Sequence, residues 1–201
     1  MTELERLLGG EIIRFKKRFW MISISFCLLV FFLGIINCSK KSVSPQLDAD
    51  ARNLVKNSSF EQDGDPTTFG WEGISSSNIS HGAPPMVGCG IWCLMISGGC
   101  VWSYASYLLD SVEDGGIYEL SCWARKEQYG SGGAGISFFN KTTSEFSRSA
   151  PVVSSSWSKV SLIDTLHIAY GDSIFVMLQA GGGFAGSCSG FFDLVKVTRK
   201  N

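Results

Sequence analysis

The residues able to do chemistry in this chain are few. Only two histidines occur, His81 and His167, far apart and without a visible catalytic partner. The segment "GSCSG" at 186–190 has the Gly-x-nucleophile-x-Gly form around Cys188. A nucleophile elbow needs a helix after it, whereas the "FFDLVKV" that follows reads as a strand. "CGIWCLMISGGC" holds Cys89, Cys93 and Cys100 at spacings that fit no common zinc pattern, with no histidine nearby. Glycoside hydrolysis needs two facing carboxylates, and nothing marks a pair among Glu72, Asp110, Glu119, Glu127 and Asp164. The richer set is aromatic and polar. Trp102 and Tyr104 lie in "VWSYASYLL", Trp123 and Arg125 in "IYELSCWAR", Gln179 in "SIFVMLQA", and Trp92 stands near a turn. Aromatic faces pack on the C–H faces of pyranose rings, while Arg and Gln bond hydroxyls with fixed geometry. That chemistry is non-catalytic sugar recognition. For Trp102 and Trp123 the competing role is packing in a core, and Trp71 and Trp157 are assigned to packing outright.

Strands must position these side chains. From Asn53 onward short apolar runs alternate with Gly, Ser and Asn clusters, and 91–97, 101–109, 117–125, 135–140, 157–163, 173–180 and 191–198 read as strands. Their spacing predicts an all-β antiparallel sandwich of jelly-roll type. Period-two alternation puts Tyr118, Leu120, Cys122 and Ala124 on one face of "IYELSCWAR". Glu119, Ser121, Trp123 and Arg125 fall on the other. In "SIFVMLQA" Ile174, Val176 and Leu178 oppose Phe175, Met177 and Gln179, so both faces are largely apolar and the strand is expected at the centre of a sheet.

The first fifty residues read as an address. Residues 20–36, "WMISISFCLLVFFLGII", are apolar, follow Arg14, Lys16, Lys17 and Arg18, and precede "NCSKKS". A basic flank, an apolar core and a small-residue junction describe an export signal. The junction Ile35-Ile36-Asn37-Cys38 resembles the lipobox of bacterial lipoproteins, in which the cysteine carries lipid. Asn37 departs from the usual small residue before the cut. The alternative is an uncleaved anchor, since 17 apolar residues approach the length that spans a bilayer. The organisation read here is a signal segment with an N-terminal overhang (1–37), a lipidated Cys38 with a polar tether (38–52), and one domain (53–201) at the bacterial cell envelope. Without residues 1–37 the chain has 12 Lys/Arg and 15 Asp/Glu, a balance that argues against nucleic acid as a partner. Five cysteines remain in the domain: Cys89, Cys93, Cys100, Cys122 and Cys188. In an exported chain, up to two disulfides are expected. Cys122 is the simplest choice for a buried free thiol, and the pairing of the rest is open.

One oddity is "NLVKNSSFEQDGDPTTFGW" at 53–71, where Glu61 stands directly after a large apolar residue, Phe60. The segments "NLVKNSSFE", "GGIYELSCWAR", "SSSWSKVS" and "FFDLVKV", in this order, resemble carbohydrate-binding modules of the family-four and family-nine type. These are jelly rolls of the galactose-binding-like group, and the resemblance covers roughly residues 53–198. It departs from the pattern at Leu194, where a second Asp often stands, and at Arg125, a residue or so from the usual Lys. The resemblance implies that first and last strands are neighbours, with a structural calcium ion where they meet. Glu61 and Asp193 would be its ligands, together with carbonyls near Ser59. Calcium is a hard cation that takes six to eight oxygens.

The leading expectation is a glycan-binding, membrane-anchored module that is not an enzyme. The alternatives are a jelly-roll assembly module contacting envelope proteins without binding sugar, and a small hydrolase. A polysaccharide is the expected partner, beside the membrane reached through Cys38.

Overall fold

A computed structural model describes residues 52–75, 78–86, 89–183 and 186–200. The chain divides into two units, Met1–Lys41 and Ser42–Asn201, and the described residues all belong to the second. The apolar run 20–36, Cys38 and the tether up to residue 51 lie outside the described residues. Among the described residues no helix is long and apolar enough to cross a membrane.

The predicted sandwich is what forms. Its strands are β1 (Glu61–Gln62), β2 (Asp65–Pro66), β3 (Trp71–Glu72), β4 (Ile79–His81), β5 (Trp92–Gly98), β6 (Ser103–Leu108), β7 (Gly116–Gly130), β8 (Gly133–Asn140), β9 (Glu145–Pro151), β10 (Ser158–Leu166), β11 (Ile174–Gly181) and β12 (Gly186–Lys200). β1 and β2 make a small hairpin. The others form two five-stranded sheets, ordered β10-β7-β12-β5-β4 and β3-β6-β11-β8-β9, with every pairing antiparallel. We call them the first and second sheet.

Alternation decides what lies between them. Tyr118, Leu120, Cys122 and Ala124 of β7 point inward and are buried, as are Ile174, Val176 and Leu178 of β11. Ala105 and Tyr107 of β6 and Ile136 and Phe138 of β8 join the same core. β11 is the central strand of its sheet, which explains why both of its faces are apolar. The sequence reading missed the two- and three-residue strands β1 to β4 and one longer strand, β9, "EFSRSAP". β9 is an edge strand with mostly exposed side chains, so no burial imposes alternation on it, and its closing Pro151 suits an edge.

The segment 53–58, ahead of β1, runs beside β12. The Leu54 amide donates to the Val197 carbonyl at 3.0 Å, and the Val195 amide to the Ser58 carbonyl at 2.9 Å. Asn53 clips this junction: its Nδ2 donates to the Val195 carbonyl, and its Oδ1 accepts from the amides of Val197 and Val55. Opposite that segment, the ladder between β12 and β7 slips between Asp193 and Lys196. Leu194 sits in the left-handed region there, at φ 52°. The bulge resets the alternation, so that Phe192, Val195 and Val197 all enter the core.

Candidate functional site

The outward face of the second sheet carries a cleft of about 600 Å³. Its lining comes from every strand of that sheet: Glu72 from β3, Tyr104 and Ser106 from β6, Phe175, Met177 and Gln179 from β11, Phe139 from β8, and Phe146 and Ser149 from β9. Trp102, just before β6, and Lys141, just after β8, complete it. Tyr104 and Gln179 are direct cross-strand partners, so the phenol and the amide share one surface. Trp102 and Tyr104 are 48% and 52% exposed, which is unusual for side chains so large. The indole is held in place from behind. A methyl group at Gly182 (φ 72°) would lie 2.4 Å from Trp102 Cε2, and one at Gly133 would lie 3.4 Å from its ring. Only glycine lets the indole settle there. The ring is therefore positioned by the loop after β11 and the start of β8, before any ligand arrives.

Three of the six aromatic and polar candidates thus come together: Trp102, Tyr104 and Gln179. Trp123 and Arg125 do not join them, because β7 belongs to the first sheet. On that sheet's outward face the Arg125 guanidinium lies 3.7 Å from the centroid of Phe191 and 5.6 Å from that of Trp157. It also pairs with Glu127. Trp92 is elsewhere again. Its indole nitrogen donates to the Gly64 carbonyl at 3.0 Å, and its ring meets His81 edge-on at 4.0 Å between centroids. The sequence reading missed Phe139, Phe146, Phe175 and Met177 as cleft residues. Alternation alone could have put Phe175 and Met177 beside Gln179; nothing local could have added β9.

The second candidate region lies where the segment 53–61 meets β12. Glu61 and Asp193 are both buried. Glu61 Oε2 accepts from the amides of Ile91 and Trp92 at 3.1 and 3.3 Å. Its carboxylate rests on Gly90, where a methyl group would fall 1.7 Å from Oε1. Glu61 Oε1 and Ser59 Oγ are buried with no hydrogen-bond partner among the described residues. Asp193 Oδ1 accepts from the Leu194 amide at 2.8 Å. Both carboxylates act on one neighbour, since burial first, then Asp193, and to a lesser degree Glu61, raise the Cys89 thiol. Phe60, immediately before Glu61, is left-handed at φ 57°, as is Leu194 immediately after Asp193. Positive φ is uncommon for such bulky residues and costs of order 1–3 kcal/mol at each. Among the described residues no cluster of three or more His, Cys, Asp or Glu side chains is arranged around a metal position. A calcium shell does not need one, because hydroxyl and carbonyl oxygens serve it equally. Buried oxygens lacking donors fit such a hard cation.

The expected disulfides do not form. Cys89, Cys93, Cys100, Cys122 and Cys188 are all free thiols. Cys122 and Cys188 are in the core, on β7 and β12. Cys93 Sγ donates to the Ser80 carbonyl at 3.5 Å, and Cys100 is exposed in the β5–β6 turn. Burial, with Asp193 nearby, pushes Cys93 up to about 12 and raises Cys122 as well. The zinc alternative in this stretch has no support, because Cys89 and Cys93 are buried while Cys100 faces solvent. Cys188 sits inside β12 with no helix after it, and burial raises its thiol.

No family model matches the chain, and no curated protein sequence matches it. Solved structures do. A xylan-binding family-22 carbohydrate-binding module from Paenibacillus barcinonensis Xyn10C aligns at TM-score 0.50 and 14% identity, over 71% of this chain and 98% of that one. A family-61 carbohydrate-binding module in complex with β-1,4-galactotriose aligns at TM-score 0.48 and 17% identity, over 75% and 100%. The enzymatically active domain of bacteriophage CBA120 tailspike protein 4 aligns at TM-score 0.47 and 16% identity, over 74% of this chain; the chain spans about 22% of that one's length. At these identities the likeness is one of fold: the structural neighbours include carbohydrate-binding modules built on this sandwich.

Proposed function

We propose that this chain is a non-catalytic glycan-binding module. The observation that carries the reading is the pair of half-exposed rings, Trp102 and Tyr104, flanking Gln179 on the floor of an open cleft. Aromatic plates of this size, fixed in place beside an amide that can both donate and accept, suit pyranose rings. Glu72 is the one carboxylate among the lining residues described, and a glycosidase mechanism asks for two. Xylan, the ligand named for the module of the same fold, is the first polysaccharide to test. In the experiment, residues 42–201 are titrated with xylan, galactan and cellulose oligosaccharides by calorimetry, beside Trp102→Ala. Saturable binding that disappears in the variant supports the reading. A folded domain that binds no glycan would overturn it in favour of the assembly-module alternative.

The glycan site is proposed to be displayed at the bacterial cell envelope, tethered through a lipidated Cys38. Support for this is the basic flank, the apolar run and the lipobox-like junction in the sequence. Metabolic labelling with a fatty-acid probe, present in the native chain and absent in Cys38→Ala, is the check.

Where the segment 53–61 meets β12, Glu61 and Asp193 would hold a calcium ion with the help of Ser59. The ion would supply charge that offsets two buried carboxylates, acting as a structural staple. The stabilisation follows from mass action, amounting to about 2.7 kcal/mol at a hundredfold excess over Kd. The melting temperature of the native domain should therefore rise by several degrees between EGTA and millimolar calcium, and Glu61→Gln should lose that response. An unchanged melting temperature would remove the ion from the account.

A further inference from the structure

The pairing registers arrange the cleft floor in three rows that run across the strands. The row nearest the start of β11 is Leu108–Phe175–Phe139–Phe146, each a direct cross-strand neighbour of the next. The middle row is Glu72–Ser106–Met177–Ser137–Ser149. The third is Tyr104–Gln179–Gly135, with Trp102 beside it. Rows along a strand are about 7 Å apart and strands about 4.8 Å, so the three rows span about 14 Å along the strands and the middle row about 19 Å across them; Leu108 lies at the end of its row, outside the cleft lining.

Its chemistry is graded. The third row offers an indole, a phenol and an amide. The middle row offers the Glu72 carboxylate, the Ser106 and Ser149 hydroxyls and the Met177 thioether. The first row offers hydrocarbon only. Phe139 and Phe146 have ring centroids 4.8 Å apart, Leu108 and Phe146 are 41% and 53% exposed, and no side chain in that row can accept or donate a hydrogen bond. A plain oligosaccharide laid across the whole floor would strand its hydroxyls over that row, and each desolvated hydroxyl without a partner is unfavourable. Phe146 and Leu108, exposed to water, and the half-buried Phe139 beside them are matched by an apolar group instead.

We propose that the ligand of this cleft is an amphipathic glycan: a sugar carrying an acyl or alkyl substituent. The sugar lies on Trp102 and Tyr104 with Gln179 bonding its hydroxyls, and the hydrocarbon lies on Leu108, Phe139 and Phe146. This rests on the glycan reading of the same cleft and narrows it. Lys141, whose ammonium lies 5.2 Å from the Phe175 centroid, stands at the hydrocarbon end and fits an ester carbonyl or a phosphate at the junction.

All of the core residues lie between Val55 and Val197, within the unit Ser42–Asn201, so the test uses residues 42–201. Methyl, butyl, hexyl and octyl β-D-glycosides of glucose, galactose and xylose are titrated below their micelle concentrations. Affinity should rise about two- to fourfold per added methylene. Leu108→Ser and Phe146→Ser, both at exposed positions and checked for folding by circular dichroism, should each flatten that slope. Trp102→Ala should weaken the whole series. Equal affinity for methyl and octyl glycosides, or a slope that survives both serine variants, overturns this proposal and leaves the glycan reading standing. Alkyl alcohols binding as well as their glycosides would overturn the glycan reading together with it.

Discussion

The outward faces of the two sheets hold the same kinds of residue and use them in opposite ways. On the first sheet, Arg125 is enclosed by Phe191 and Trp157 and paired with Glu127. Its aromatic and charged groups pack on and pair with one another. On the second sheet, Trp102 and Tyr104 stand half exposed over a floor of about 600 Å³. The difference is one of partners. β7 and β12 are long strands paired to each other over most of their length, so their outward side chains have neighbours on both sides. β6 is short and is followed in its sheet only by the two-residue β3. Beyond Tyr104 no longer strand supplies a covering side chain, and a gap remains.

Substitutions can break this contrast. Phe191→Ala should have the largest effect, removing about 3 kcal/mol of stability through lost packing under Arg125, and chemical denaturation should register it. Glycan binding by the molecules that remain folded should not change. Trp102→Ala should do the reverse: binding weakens by about 2 kcal/mol, roughly thirtyfold, while the unfolding midpoint moves little. If the two variants instead shared one phenotype, the two faces would not be functionally distinct.

Arg125→Lys keeps the charge but loses the planar stack and the fork toward Glu127. Stability should fall by about 1 kcal/mol, visible as a shift in melting temperature of a few degrees. The smallest effect concerns Glu119, whose carboxylate is held below its usual range by its hydrogen bond to Lys200, with Lys159 and Lys196 adding to the pull. A depressed folded-state value gives stability that is present above the unfolded value of about 4.3. That stability is lost as pH falls through the folded value. Both side chains are partly exposed, so only a few tenths of a kcal/mol are expected. Lys200→Ala should therefore lose slightly less stability than the native domain between pH 6 and pH 3, and the gap should close in high salt.

The buried carboxylates mark a third use of polar groups, and here local sequence was informative. "NLVKNSSFE" and "FFDLVKV" already implied, through their family resemblance, that Glu61 and Asp193 share one region. The amide donors from Ile91 and Trp92, the glycine beneath the carboxylate and the left-handed Phe60 and Leu194 could not be read there. Those depend on which segment covers which.

What the sequence by itself determined was the sandwich, because period-two burial is a local property that β7 and β11 write plainly into their alternation. It also determined which side chains of β7 and β11 turn outward. It did not determine which outward set stays open. Trp102 and Trp123 have the same kind of local surroundings, an alternating strand with polar neighbours, and differ only in the sheet and the cross-strand partners they receive. Nor could β9 be found, since an edge strand facing water has no burial to impose a period on its residues. Disulfides were expected from the count of cysteines and an export signal, yet bonding requires two sulfurs brought together. The five thiols lie on β5, β7, β12 and two loops, and all are free. Strand pairing is non-local: it alone decides whether an aromatic ring ends in a stack or at the edge of a cleft.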